Sequence, residues 1–208
     1  MLSLFLVLPP DTGFVEKLEP LLADPLVACV LLAGTAETNR DNANLKALVK
    51  RLQRHDIAVL FEDMELAKAT DADGLHIRME DEEDMSEFRK ALRSMKPGRI
   101  VGAGNMASRH AAMTAAEEDI DYVMFGEYGQ NERKAGVEAV AERAAWWAEI
   151  FTTPCVAMTT DVSKISEIAG TGCEFIGMSF VEEDGTLDPA NMLNTAIQAI
   201  RSTSQCAT

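Results

Sequence analysis

Residues 57–77 carry the pattern that decides the fold. Ile57-Ala58-Val59-Leu60-Phe61 is a short apolar run that ends on Glu62-Asp63. Gly74-Leu75-His76-Ile77 is a second, and it ends on Arg78-Met79. Both are nearly continuous in apolar residues, as expected of strands covered on both faces. Working outward, runs of the same kind stand at residues 2–8, 26–33, 99–102, 122–125, 155–158 and 175–178, which makes eight.

Longer stretches with helical signals separate most of these runs. Asp11-Thr12-Gly13 precedes a helix at 14–22. Asp41 or Asn42 caps one at 43–54, where Leu45, Leu48, Val49 and Leu52 form an i, i+3, i+4, i+7 stripe. Further helices are expected at 84–93, 108–118 and 135–151. Asp161 opens one at 162–168, and Asp188-Pro189 opens the last at 189–200. Strands alternating with helices imply an α/β chain with a parallel sheet. Two closures satisfy the pattern: a (β/α)8 barrel, whose lower size limit is ~200 residues, or an open doubly wound sheet. No glycine-rich dinucleotide fingerprint follows the first run, and no P-loop is present. One compact domain over residues 1–208 is expected, with 202–208 as a frayed tail.

The 208 residues carry 34 acidic and 19 basic side chains, a formal charge of −15. That balance argues against a protein that coats nucleic acid or an anionic membrane, since both tasks need clustered Lys and Arg. The apolar opening has no basic residue before it and stops at Pro9-Pro10, unlike a signal peptide. No apolar run approaches the ~20 residues of a membrane helix. Cys29, Cys155, Cys173 and Cys206 match no zinc spacing and read as reduced thiols of a cytoplasmic protein.

In a barrel, function belongs to the loops that follow the strands. Asp63 and Asp81 end two neighbouring runs and could share a hard cation such as Mg2+, which takes one or two carboxylates plus water and phosphate. They serve equally as helix caps. Lys134 ends the longest such loop, where it reaches a phosphate or is simply solvated. Gly102-Ala103-Gly104 offers backbone N–H groups to an anion or makes a tight turn. His76 meets a ligand or is a core histidine, while His55 and His110 sit in polar surroundings. No nucleophile with a paired base is visible, and no catalytic residue is assigned.

The segment Glu62-Asp63-Met64-Glu65-Leu66-Ala67, followed by Ala72-Asp73-Gly74-Leu75-His76-Ile77, resembles the middle of the thiamine phosphate synthase family. Asp121-Tyr122-Val123-Met124-Phe125-Gly126 is similar to that family's "DYVGFGP", and Pro154-Cys155-Val156-Ala157 to its "PVVAIGG". The similarity spans roughly residues 55–180. It implies a TIM barrel that uses Mg2+ to join a pyrimidine pyrophosphate to a thiazole phosphate, a transferase of thiamine biosynthesis. By resemblance, Asp63 and Asp81 hold the metal and Lys134 meets the pyrophosphate. Several family positions are changed. Glu62 stands for an Asn, Arg78-Met79 for Gly-Gln, and Gly104 for a serine. Asn131 and Arg133 stand for two threonines, and Thr159-Thr160 for Gly-Gly, with Asp161 next. Ser179 lies one place before the family's serine, at Phe180. No basic residue stands at 33–37, where the family carries "QxRxK"; Arg78, Arg133 and Arg40 are the available substitutes. The substrate-binding candidates are therefore Lys134, Arg78, Asn131, Arg133, Gly104, Thr159, Thr160 and Ser179.

Three functional readings follow. The chain is a synthase of this type, or a degenerate or repurposed relative that binds another small, phosphorylated ligand or regulates a partner, or a purely structural protein. The expected partner is a small phosphorylated molecule. The adjacent Trp146 and Trp147 suit a homodimer contact, or else one indole lies in the core and the other is partly exposed.

Overall fold

The alternation of side chains along each strand divides the apolar residues into two cores. In β1 (Ser3–Leu8), Leu4, Leu6 and Leu8 join the larger core with the helices, while Phe5 and Val7 point the other way into a smaller one. The computed structural model describes residues 2–34, 42–79, 85–106, 108–128, 135–181 and 188–206. In chain order the elements are β1, α1 (Thr12–Leu22), β2 (Val27–Leu32), α2 (Asn42–Gln53), β3 (Ala58–Phe61), α3 (Met64–Thr70), β4 (Gly74–Arg78) and α4 (Ser86–Met95). They continue with β5 (Ile100–Gly104), α5 (Arg109–Ala116), β6 (Tyr122–Phe125), α6 (Val137–Ile150), β7 (Cys155–Met158), α7 (Ile165–Ala169), β8 (Phe175–Ser179) and α8 (Pro189–Cys206). A 3-10 turn, Val162–Lys164, leads into α7. Each strand pairs in parallel with the next, and β1 pairs with β8, Ser3 opposite Phe175 through Val7 opposite Ser179. The sheet is a closed (β/α)8 TIM barrel, so the open doubly wound alternative is excluded.

The eight strands and the expected helices stand where the sequence places them, with ends shifted by a few residues. Three differences matter. Residues 64–70 form α3, which the pattern did not mark: seven residues that bury only Ala67 and Thr70 carry no readable stripe. The helix expected at 162–168 is split into the 3-10 turn and α7. The last helix extends to Cys206, past Ser202, where a frayed tail was expected. There Ser202 Oγ and Thr203 Oγ1 donate to the helical carbonyls of Gln198 and Ala199, four residues back.

Inside the barrel, size is balanced across neighbouring strands. A Cβ on Gly102 would stand 2.0 Å from the Tyr122 ring, and one on Gly104 would stand 2.8 Å from His76 Nε2. Gly102-Ala103-Gly104 is thus strand, neither a tight turn nor an anion loop; its glycines make room for Tyr122 and His76. Cys29, Cys155 and Cys173 are buried free thiols, and burial pushes the Cys29 and Cys155 thiols far up. Trp147 is fully buried, donates from Nε1 to the Thr153 carbonyl at 2.7 Å and stacks on Phe151; Trp146 is partly exposed beneath Arg109.

At the N-terminal end of the barrel, the acidic residue just before each of β4, β6 and β8 reaches back to the strand before it. Asp73 accepts from the N–H of Val59, Asp121 from Val101 and Glu174 from Cys155, at 2.7–2.9 Å. Each closes the gap where the first ladder bonds of a strand pair would otherwise fray.

Candidate functional site at the C-terminal mouth

The residues that end the strands meet around one mouth. Glu62 follows β3, Arg78 closes β4, Gly104 closes β5, Tyr128 follows β6, Thr159 follows β7 and Ser179 closes β8. Beside them opens a cavity of about 600 Å³, lined by Glu62, His76 and Arg78 on its polar side and by Met64, Ile77 and Phe88 on its apolar side. That volume is within the range of small-molecule sites.

Tyr128 organises the mouth. Its hydroxyl donates to Glu62 Oε1 at 2.6 Å, and its carbonyl accepts from Ser179 Oγ at 3.1 Å. The Arg78 guanidinium lies over its ring at 5.3 Å from the centroid, with Nη1 3.8 Å from Glu62 Oε1. Burial, together with the Glu62 carboxylate, pushes the Tyr128 phenol far up, so it stays protonated and donates. The ring is almost fully covered and roofs the barrel interior. Sequence reasoning did not single out Tyr128. Its only signal is a large aromatic in an otherwise polar loop.

Below Tyr128 sits His76, fully buried, edge-on to the Tyr128 ring and stacked with Tyr122. Its Nδ1 is 2.7 Å from the Tyr122 hydroxyl. Its Nε2 is the one buried side-chain polar atom without a hydrogen-bond partner among the described residues. Burial first, and the charge of Arg78 second, push its pKa down to about 3, so the imidazole is neutral. Burial likewise raises the Tyr122 phenol. A neutral ring that accepts from Tyr122 at Nδ1 carries its proton on Nε2, the unpartnered side.

The other candidates divide into three groups. Asp63 caps α3: its Oδ1 accepts from the N–H groups of Glu65 and Leu66 at 2.8 and 3.0 Å, on the exposed rim. Gly104 packs against His76. Thr159 is buried and exchanges hydrogen bonds with the backbone of Asp161, whose own carboxylate caps the 3-10 turn; Thr160 is exposed. Asp81, Asn131, Arg133 and Lys134 lie outside the described residues, as does Arg40. Among the described residues no group of three His, Cys, Asp or Glu side chains is arranged to hold a metal ion. An exposed carboxylate with both backbone bonds on one oxygen does suit a hard cation that needs only one or two carboxylates. No helix of the described residues is long and apolar enough to cross a membrane.

A (β/α)8 barrel with a cavity, an arginine and carboxylates at its C-terminal mouth defines a protein of small-molecule chemistry. The family model for thiamine monophosphate synthase matches residues 4–180, nearly the whole barrel. The chain belongs to that family. It is 35% identical over 165 residues to the thiamine-phosphate synthase of Rhodospirillum centenum, covering 74% of this chain and 76% of the relative. It is 28% identical over 212 residues to that of Hyphomonas neptunium, covering 95% and 94%. Among solved structures it is similar to a thiamine phosphate pyrophosphorylase from Pyrococcus furiosus, with a TM-score of 0.74 and 20% identity over 97% of this chain and 96% of that one.

Proposed function

We propose that this chain is a thiamine-phosphate synthase, which joins a pyrimidine pyrophosphate to a thiazole phosphate. Family membership across residues 4–180 is the observation that carries this reading. In the reaction, the thiazole nitrogen bonds to the methylene carbon of the pyrimidine while the carbon–oxygen bond to pyrophosphate breaks. Asp63 and Asp81 are the residues that would hold Mg2+, which when bound offsets the charge on the departing pyrophosphate. The chain's own groups do the rest. Arg78 stands in the cavity as a cation for pyrophosphate, and Lys134, Arg133 and Asn131 are assigned to the same task. Glu62 brings a carboxylate to face the positive charge that develops on the pyrimidine. Tyr128 fixes both Glu62 and Arg78, and its ring keeps water from the interior. Gly104 leaves the space that His76 fills, and Thr159, Thr160 and Ser179 border the acceptor side.

The test is turnover. Purified protein, the two substrates and Mg2+ are mixed, and thiamine phosphate is read after oxidation to its fluorescent product. Mg2+-dependent product that falls at least about tenfold in both Asp63→Asn and Arg78→Ala is expected, since each loses a charge-assisted contact. No product above background would overturn the reading in favour of a relative repurposed for another ligand.

A further inference from the structure

Tyr128 stands between the charged side of the mouth and a hydrogen-bond donor that has no partner among the described residues. The donor is the N–H at His76 Nε2. Its imidazole is fully buried and lies edge-on to the Tyr128 ring, with 5.6 Å between centroids. A dry, unpaired polar group is unfavourable, and each one in a folded protein calls for an explanation. His76 also lines the cavity of about 600 Å³, together with Glu62 and Arg78, and these three side chains all contact the Tyr128 side chain. The ring of Tyr128 is what separates that cavity from the interior.

The fixation of Tyr128 is divided. Its backbone is held by Ser179 Oγ, which donates to its carbonyl at 3.1 Å. Its side chain is held from the mouth, by the hydroxyl bond to Glu62 Oε1 at 2.6 Å and by the Arg78 guanidinium over its ring. A side-chain rotation breaks the two mouth contacts and leaves the backbone bond intact. Burial and the Glu62 carboxylate keep the phenol protonated, so the hydroxyl does not let go by ionising. Release needs an agent that acts on Glu62 or Arg78. Those two contacts share one cation: Arg78 Nη1 is 3.8 Å from the same Glu62 oxygen that accepts from Tyr128. A polyanion that takes Arg78 draws the cation off the Tyr128 ring and brings like charge up to Glu62. Both changes loosen Tyr128, and an uncharged molecule causes neither. The space the ring would leave belongs to the smaller core, beside Tyr122, Met124 and Met158. It is apolar with one N–H donor, which suits a flat, uncharged ring that carries an acceptor atom.

We propose that the Tyr128–Glu62 pair is a latch released by a polyphosphate anion at Arg78, so that the interior admits a flat ring only when the ring arrives joined to such an anion. Tyr128 is then a specificity-determining residue. It favours the pyrophosphate ester of a ring over the free alcohol of the same ring by more than the anion's direct contacts supply. The inference rests on the synthase reading above, which provides the pyrophosphate ester. It goes beyond that reading by making anion binding and access to the interior one event.

The experiment reads access to the interior as the exchange rate of the His76 Nε2–H proton, by nitrogen-edited NMR of the full chain. The Val123 amide, bonded to the Pro154 carbonyl at 3.0 Å in the barrel wall, reports global opening in the same sample. Mg2+ is present throughout, and the probe is inorganic pyrophosphate, saturating by calorimetry. Pyrophosphate should raise the His76 rate at least about twofold, the worth of the cation–π contact alone, and leave Val123 unchanged. Tyr128→Phe, which cuts the latch and keeps the ring, should raise the rate about two- to tenfold without pyrophosphate, the worth of one net hydrogen bond, and shrink the response to the anion. Pyrophosphate that binds without changing the His76 rate, or that does not bind, overturns the inference, as does a rate unmoved by Tyr128→Phe. The turnover assay decides the synthase reading separately. Turnover with an unmoved His76 rate sinks the latch alone, and the expected rates without turnover sink the synthase reading alone.

Discussion

Replacing Tyr122 by Phe removes one oxygen atom from the barrel interior and leaves the ring contacts with Phe5 and His76 in place. Among the described residues the lost group is the only hydrogen-bond partner of His76 Nδ1, at 2.7 Å, and His76 Nε2 has none. The variant would therefore hold a fully buried imidazole with both nitrogens unpaired. A net bond of about 0.5–1.5 kcal/mol is lost, and a buried acceptor is left unsatisfied at about 1–3 kcal/mol, so the expected cost is about 1–3 kcal/mol. For a domain of this size that lowers Tm by about 3–10 °C. Urea unfolding of the two proteins measures it directly, as a shift in midpoint at constant slope. Tyr128→Phe is the internal control. Its hydroxyl also makes a short bond, but to Glu62 at the partly exposed mouth, where water replaces it, and its cost should stay below about 1 kcal/mol. If Tyr122→Phe costs no more than Tyr128→Phe, the buried pair is not the constraint argued for here.

Three further outcomes are expected. Gly104→Ala places a Cβ 2.8 Å from His76 Nε2 and 3.2 Å from Met124 Cβ, so it should destabilise by about 1–3 kcal/mol in thermal unfolding, and an unchanged Tm would refute the packing. His76 is held neutral down to about pH 3, but takes up a proton below pH 6.5 once unfolded. Stability should therefore fall by about 1.4 kcal/mol per pH unit from this group as the pH drops from 6.5 toward 3, and level off below. In the folded protein the His76 ring resonances should not titrate down to pH 5; a midpoint near 6.5 by NMR would contradict its burial. Arg51 pairs with Glu16 and Glu19 across α1 and α2, yet all three are partly exposed, so Arg51→Ala should leave the urea midpoint almost unchanged in 0.15 M salt; a clear fall in the midpoint would show the pair to be more than a surface ion pair.

The barrel was legible because its strands are short, apolar and evenly spaced, and because the segments at 62–77 and 121–126 also resemble one family. What failed locally failed for want of length or because the cause was distant. Residues 64–70 form a helix too short to show a period, held by the Asp63 cap and the tertiary burial of Ala67 and Thr70. Gly102 and Gly104 looked like a turn because Gly-x-Gly usually is one. Their real partners, Tyr122 and His76, are a strand away and absent from any local window. The mouth was legible in part. Arg78 and the rim hydroxyls were named from strand ends, whereas Tyr128, which ties Glu62 to Ser179, carries no motif.

The acids that reach back at the N-terminal end divide the closed sheet into β3 with β4, β5 with β6, and β7 with β8. A ring stapled in twos has unequal seams. New chain ends placed between β4 and β5, or between β6 and β7, leave every staple within one fragment, whereas a cut between β3 and β4 parts Asp73 from Val59. Circular permutants opened at the first two seams should fold, and those opened within a stapled pair should be weaker. Slow amide exchange at Val59, Val101 and Cys155 should mark the two-strand unit as the smallest piece that opens together.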